Sequence, residues 1–187
     1  MWSASNLVQV DHAGESAHVN FKVTRMDRRK RVDRSTRTIA ASAHRIYRAL
    51  TSQAAVQAWL PPAGVRGTVD AFDPRPGGAF RMTLTFDDPG ETGSRKSSRT
   101  SDVIVGEFVE LIPDRLVRQR FTFQSEDPAF AGAMLMTWTL AVLPGGVEVA
   151  VAAEDVPEGI SPRDHEVGMA SSLANLAKYV EQQEWTR

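Results

Sequence analysis

The sequence predicts an α+β fold in which an antiparallel sheet packs against one long C-terminal helix. Six strand-like stretches follow one another between Gly67 and Ala153, and the clearest of them alternate apolar and polar residues, as half-buried strands do. From Ser161 to Glu184, apolar residues instead recur three or four positions apart, the spacing of an amphipathic helix. The short links between successive strands favour an antiparallel meander.

Length and composition exclude several classes of protein. The chain has 187 residues, a usual size for one domain, and its 42% hydrophobic and 24% charged content argues against general disorder. The 22 basic residues nearly balance the 23 acidic ones, so we expect no nucleic-acid partner. Cysteine is absent, which excludes disulfides and thiol chemistry and is consistent with the cytoplasm. No apolar run approaches the ~20 residues that span a bilayer, so we expect no membrane insertion.

One short strand and two short helices precede the meander. Residues 35–41 are the predicted strand, and Ser42 is a candidate N-cap for the helix that follows. A second short helix over residues 53–60 ends at the next two prolines, because proline cannot continue a helix.

The chain divides into an extension and one domain. We assign residues 1–34 to an N-terminal extension, which is flexible or adds a strand over residues 18–24, and residues 35–187 to the domain. Residues 89–102 contain no apolar side chain and predict a hairpin loop between two strands of the meander.

The C-terminal helix has clear boundaries and an unusual flank. Ser161 is its expected N-cap and Pro162 suits the first helical position. Gly168 and Ser172 adjoin an apolar stripe, and a glycine inside a helix costs up to ~1 kcal/mol relative to alanine. We expect the close approach of a strand or a ligand to compensate. The stripe consists of Met169, Leu173, Leu176 and Val180.

Several segments in order resemble the START-like (SRPBCC, helix-grip) superfamily, and within it the branch named after the activator of heat-shock-protein ATPase homologues. The resemblance runs from about Arg37 to Glu184. The matching segments are "AASAHRIYRALTSQAAVQAWLPP", "RPGGAFRMTL", "GEFVELIPDRLV" and "HEVGMASSLANLAKYV". One residue departs from the pattern, since Met169 stands where the branch has tryptophan; either the interior is larger there or another side chain fills it.

This resemblance implies a helix-grip fold, with about seven antiparallel strands curling round the C-terminal helix and two short helices closing one end. It also implies an interior that commonly holds lipids, hormones, polyketides or other apolar molecules, on which some members act. The co-chaperone that names the branch carries a separate N-terminal domain for which this chain has no room, so its name is not taken as the function.

We therefore predict a cavity between sheet and helix that binds a small apolar or amphipathic ligand in a monomer or homodimer. Plain core packing is the competing interpretation for each lining residue. The collective argument is that one helix cannot cover so wide a sheet, and methionines suit an adaptable wall. The predicted ligand-binding residues are Trp59, Phe80, Met82, Phe86, Phe121, Phe123, Met134, Met136, Trp138, Gly168, Met169, Ser172, Leu173 and Leu176.

We expect no catalytic residue, metal or cofactor. The Asp-His-Glu run at 164–166 is a poor ligand set, since adjacent helical residues point in different directions. Glu107 and Glu110 either pair across the strands with Arg118 and Arg120 or turn into the cavity. A cyclase, dehydratase or hydrolase acting on a polyketide-like molecule is one alternative function. A co-chaperone-like interaction module, with a filled interior and an exposed apolar patch, is the other.

Overall fold

The computed structural model describes residues 31–62, 64–86 and 101–182. The strand predicted over residues 18–24 and the loop over 89–100 lie outside these residues. The strands are β1 (Val32–Ile39), β2 (Val65–Phe72), β3 (Ala79–Phe86), β4 (Ser101–Ile112), β5 (Leu116–Phe123), β6 (Met134–Leu143) and β7 (Gly146–Glu154), and the helices are α1 (Ala43–Leu50), α2 (Gln53–Trp59) and α3 (Pro162–Gln182).

The seven strands form one antiparallel sheet in the order β1-β7-β6-β5-β4-β3-β2. Strands β2 to β7 are a meander, and β1 closes the order by pairing along β7 from Val32 opposite Glu154 to Ile39 opposite Val147. The curved sheet and the long C-terminal helix confirm the predicted α+β, helix-grip fold. Two strand starts differ. β1 begins at Val32, three residues before the predicted strand and within the segment assigned to the extension, and β4 begins inside the predicted loop, where Asp102 pairs with Leu84 of β3.

Local chemistry explains where the helices begin and end. The hydroxyl of Ser42 accepts a hydrogen bond from the Arg45 amide at 3.3 Å, which confirms the N-cap of α1. The hydroxyl of Ser161 accepts one from the Asp164 amide at 3.1 Å, as predicted for α3. No helix in the described part of the chain is long and apolar enough to cross a membrane.

The core lies between the sheet and α3. The predicted stripe of α3 is buried along its whole length, including Met169. The helix approaches β1 more closely than it approaches the other strands, so side chains rather than backbone fill the space toward β2. Trp59 of α2 enters this space, where its ring contacts Trp138 edge to face at a centroid distance of 5.7 Å.

An aromatic cluster fills the part of the core between β2 and β5. Phe80 is its centre, with ring centroids 5.2 Å from Phe121, 5.9 Å from Phe72 and 6.3 Å from Phe108. Gly106 of β4 pairs with both Phe80 and Phe121, and a Cβ on this glycine would lie 2.6 Å from Cδ1 of Phe121. The glycine therefore leaves the room in which the two rings meet.

Candidate functional site

The strand register decides which residues face α3. We call the face of the sheet that carries the buried side chains the interior face. Directly opposed residues of antiparallel strands share a face, and Val65 opposes Phe86, Met82 opposes Ile104, and Ile104 opposes Phe123. The same rule links Phe121 to Met134 and Val117 to Trp138. All eight sheet residues of the predicted set therefore lie on the interior face.

Most of the predicted set is core. Nine of the fourteen residues have at most 7% of their surface exposed, and they pack in one cluster with the rest of the core. Their burial alone accounts for their apolar character, at about 1.5–3 kcal/mol for each large side chain. These nine are Trp59, Phe80, Met82, Phe121, Met134, Trp138, Met169, Leu173 and Leu176.

Apolar side chains are incompletely buried at both ends of the interior face; at one end these are Phe72, Leu111 and Val142. The other end carries more of them. It is the end at which β3 and β5 finish and β4 and β6 begin, and we call it the open end. Five apolar side chains of β3 to β6 on the interior face are only partly buried there, and three of them belong to the predicted set. These five are Leu84, Phe86, Ile104, Phe123 and Met136.

The side of α3 that lies next to the open end has small residues at positions 168 and 172. Residues 168, 172 and 175 recur on one side of α3, and Asn175 of this row donates a hydrogen bond to the Pro61 carbonyl at 3.2 Å, so the row faces the α2–β2 side. Gly168 is exposed, and a Cβ built on it would meet no described atom within 4 Å. Of the two expected neighbours, a strand or a ligand, the strand is therefore not found within the described residues. Ser172 is partly buried and donates to the Gly168 carbonyl.

A groove of about 760 Å³ runs along the C-terminal half of the same helix side. It lies between α2, the start of β2 and α3, and its lining includes Pro61, Val65 and Tyr179. The volume falls in the range of small-molecule sites, although the groove is open to solvent. Of the fourteen predicted residues, Trp59 alone lines it.

Sequence reasoning missed Gln119 of β5. It pairs with Phe108 on one side and Met136 on the other, and both neighbours lie on the interior face. Only 7% of Gln119 is exposed. The signal was available in the sequence, because Gln119 alternates with Val117 and Phe121 and so falls on the apolar face of its strand.

The acidic and basic pairs of β4 and β5 belong to the outer face. Arg118 donates to Glu110 at 2.9 Å and to the Thr137 hydroxyl at 3.2 Å, and Arg120 donates to Glu107. All four charged side chains are about one third to one half exposed. The cross-strand interpretation is therefore confirmed, and the idea that one of them turns into the cavity is wrong.

The family model described as Activator of Hsp90 ATPase homolog 1-like protein matches residues 40–181. The chain belongs to this family. The match covers every helix and strand described here except β1 and the last residue of α3, which confirms the resemblance seen in the sequence.

Solved structures agree with membership of the Activator of Hsp90 ATPase homolog 1-like family. A protein from Chromobacterium violaceum is 31% identical over 81% of this chain and 98% of its own, with a TM-score of 0.71. A protein from Rhodobacter sphaeroides is 22% identical over 79% and 90%, with a TM-score of 0.65. The AHSA1-like protein from Aeromonas hydrophila is 16% identical over 84% and 99%, with a TM-score of 0.62. No curated protein matches the chain.

An ion-pair cluster fastens α3 of this Activator of Hsp90 ATPase homolog 1-like protein to the start of β1. Arg31 donates to both carboxylate oxygens of Asp33, at 2.8 and 2.6 Å, and to the Ile160 carbonyl. Nδ1 of His165 lies 2.7 Å from the same carboxylate. Of the 164–166 run, only His165 joins this cluster, and within the described residues no group of three or more ligand side chains suits a metal.

The cluster predicts a pH-dependent stability. Hydrogen bonds from Arg31 hold the pKa of Asp33 below its ordinary value; burial opposes this effect and the contact with His165 adds to it. A lowered pKa stabilises the fold at pH values above about 4, the pKa of an unfolded aspartate, and the benefit disappears as the pH falls through the folded pKa. We expect Asp33→Asn to cost about 1–3 kcal/mol at pH 7 and much less near pH 2.

Urea unfolding at the two pH values measures this difference. Asp73→Asn is the matched control, because Asp73 also pairs with an arginine two residues away, but on the surface. It should cost at most about 1 kcal/mol at either pH. A loss at Asp33 that does not depend on pH would contradict the assignment.

Proposed function

We propose that this protein binds a small amphipathic molecule at the open end of its interior face, beside α3. The incomplete burial of a group of five apolar side chains at this end, next to buried neighbours deeper in the sheet, carries the proposal. Apolar surface that the fold leaves accessible in a concave place is the usual wall of a ligand site. The contact between His165 and Asp33 sets the N-terminal half of α3 above the same end, where Met136 and Asp33 lie in one row across the sheet.

The α3 flank supports the same location. Gly168 and Ser172 are the small residues on the side of the helix that faces α2 and β2, and the space beside Gly168 is open. A ligand of about 20 heavy atoms that gains ~0.3 kcal/mol per atom would bind with ~6 kcal/mol, or tens of micromolar. Contact with apolar walls is therefore sufficient for binding in this range, without a metal or a covalent step.

The two alternative functions have weaker support. An enzyme needs an activated polar residue at the interior. Asp33 is already bound by Arg31 and His165, and Asp102, the buried carboxylate on the interior face of β4, also has an interaction partner. An interaction module needs a contiguous apolar patch. Among the described residues, the large exposed hydrophobic side chains are Val167 on α3 and three at the other end of the sheet, and single exposed residues are ordinary on protein surfaces. Those three are Ile112, Val142 and Leu143.

The proposal is tested with N-phenyl-1-naphthylamine, an uncharged fluorophore that brightens in apolar surroundings. We expect saturable binding at one site per chain. Gly168→Trp should fill the space beside the helix and raise the dissociation constant at least tenfold, while the free energy of unfolding changes by less than about 1 kcal/mol. The readouts are a fluorescence titration and urea unfolding of the same samples.

Ala170→Trp provides the matched control. Ala170 is also exposed on α3 but lies about 200° round the helix from Gly168, so its tryptophan points away from the proposed site. It should leave the dissociation constant within about twofold. Absence of saturable binding to the native chain, or equal weakening by both tryptophans, would overturn the proposal.

A further inference from the structure

The buried amide of Gln119 is a polar group on an otherwise apolar wall. Along β5 its neighbours on the interior face are Val117 and Phe121, and across the sheet they are Phe108 and Met136. Directly opposed side chains lie about 4.5–5.5 Å apart at Cβ. Met136 is one of the five partly buried residues of the open end, so Gln119 stands immediately behind the proposed ligand site.

Within the described residues, the Gln119 side chain has no hydrogen-bond partner. The adjacent arginines of β5 donate to glutamates on the outer face, so their polar groups point the other way. A glutamine amide offers two donors and an accepting oxygen. Gln119 keeps 7% of its surface exposed, and its side chain lies on the interior face next to Met136.

The unpartnered amide of Gln119 restricts which ligands can bind beside it. A purely hydrocarbon ligand would cover the amide without offering it a hydrogen bond, and an unpaired buried polar group costs about as much as a good contact contributes. A ligand that places its own hydroxyl, carbonyl or amide against Gln119 avoids that loss. Sites built around one hydrogen-bonding side chain discriminate strongly against analogues that lack the matching group.

The surroundings also argue against a charged group at this position. The four interior neighbours of Gln119 are all apolar, and the four nearest charged residues of β4 and β5 lie on the outer face. The fifth, Asp102 of β4, opposes Leu84 and is buried on the interior face, but it lies six residues, or about 20 Å, along the strand from Phe108. On the interior face, the carboxylate of Asp33 lies in the same row, but three strands away, or about 14 Å, and it is already paired. A charged ligand group beside Gln119 would lose its hydration without gaining a counter-ion.

We infer that the ligand carries an uncharged hydrogen-bonding group, such as a hydroxyl, carbonyl or amide, which binds the Gln119 amide while the apolar remainder of the ligand lies on Met136 and the open end. The inference rests on the proposed function, because it assigns a polar contact to the same site. It also makes Gln119 the residue that determines specificity there.

The test compares two competitors of nearly equal shape, 2-naphthol and 2-methylnaphthalene, which differ in a hydroxyl against a methyl group. Each displaces N-phenyl-1-naphthylamine from the native chain and from Gln119→Leu. We expect the leucine variant to shift the ratio of the two dissociation constants about tenfold toward 2-methylnaphthalene. Gln124→Leu, the same change at an exposed residue just beyond β5, should leave the ratio unchanged.

A second readout needs no ligand. Gln119→Leu replaces an unpartnered amide by an apolar group of similar size on an apolar wall, so the thermal midpoint should stay the same or rise. A fall of several degrees would show that the amide is satisfied within the protein and would overturn the inference. The inference also fails, and the proposed function stands, if the fluorophore binds but Gln119→Leu leaves the ratio unchanged or neither competitor displaces it. Failure of the fluorophore to bind the native chain overturns both.

Discussion

Replacing Phe80 by alanine should lower the free energy of unfolding by about 3–5 kcal/mol. Phe80 is 1% exposed and contacts three other aromatic rings, so its removal leaves a cavity at the centre of the cluster. The rings around it are held by strands on both sides of β3, which limits how far they can collapse into the space. Urea unfolding followed by circular dichroism, with an unchanged slope, measures the loss.

Phe86→Ala is the informative comparison for this prediction. Phe86 lies on the same strand and the same face as Phe80 but is only partly buried at the open end. Its truncation should cost clearly less, about 1–2 kcal/mol, because less apolar surface returns to water. Equal losses at the two positions would show that the open end is packed as tightly as the core, contrary to the proposed site.

Truncating Leu176 to alanine should lower the free energy of unfolding by about 2–5 kcal/mol. The Leu176 side chain is fully buried at the middle of the stripe that α3 presents to the sheet. The helix is joined to the rest of the fold chiefly through this stripe, so a cavity here weakens the contact of α3 with the sheet as a whole.

Leu143→Ala provides the matched substitution at an exposed site, since Leu143 is 42% exposed at the end of β6. It should cost less than about 1 kcal/mol. A loss below about 1 kcal/mol at Leu176 as well would contradict the description of α3 as a packed part of the core.

Local sequence patterns were sufficient to predict most of the fold. Alternation assigned Phe80, Met82 and Phe86 to one face of β3, and the two serine caps marked the starts of α1 and α3, because these signals depend only on neighbouring residues. The predicted start of β4 was wrong, because the first two residues of this strand are polar but still pair with β3.

The site was harder to predict, because its key contacts join distant parts of the chain. Nothing near Asp33 indicates that it meets His165, which follows 132 residues later. The glycine at 168 suggested that space was needed, but the sequence does not say whether a strand or a ligand occupies that space. Gln119 was overlooked because two arginines flank it, although its place in the alternation puts it on the interior face.

The pairing of β1 with β7 also shapes how the chain folds. Each strand from β2 to β7 pairs with the strand next to it in the sequence, whereas the partner of β1 lies more than a hundred residues downstream. Such distant pairing lengthens the search for the native topology. We expect the N-terminal strand to join a largely assembled meander late in folding, and during synthesis on the ribosome this edge stays unpaired until nearly the whole domain has emerged.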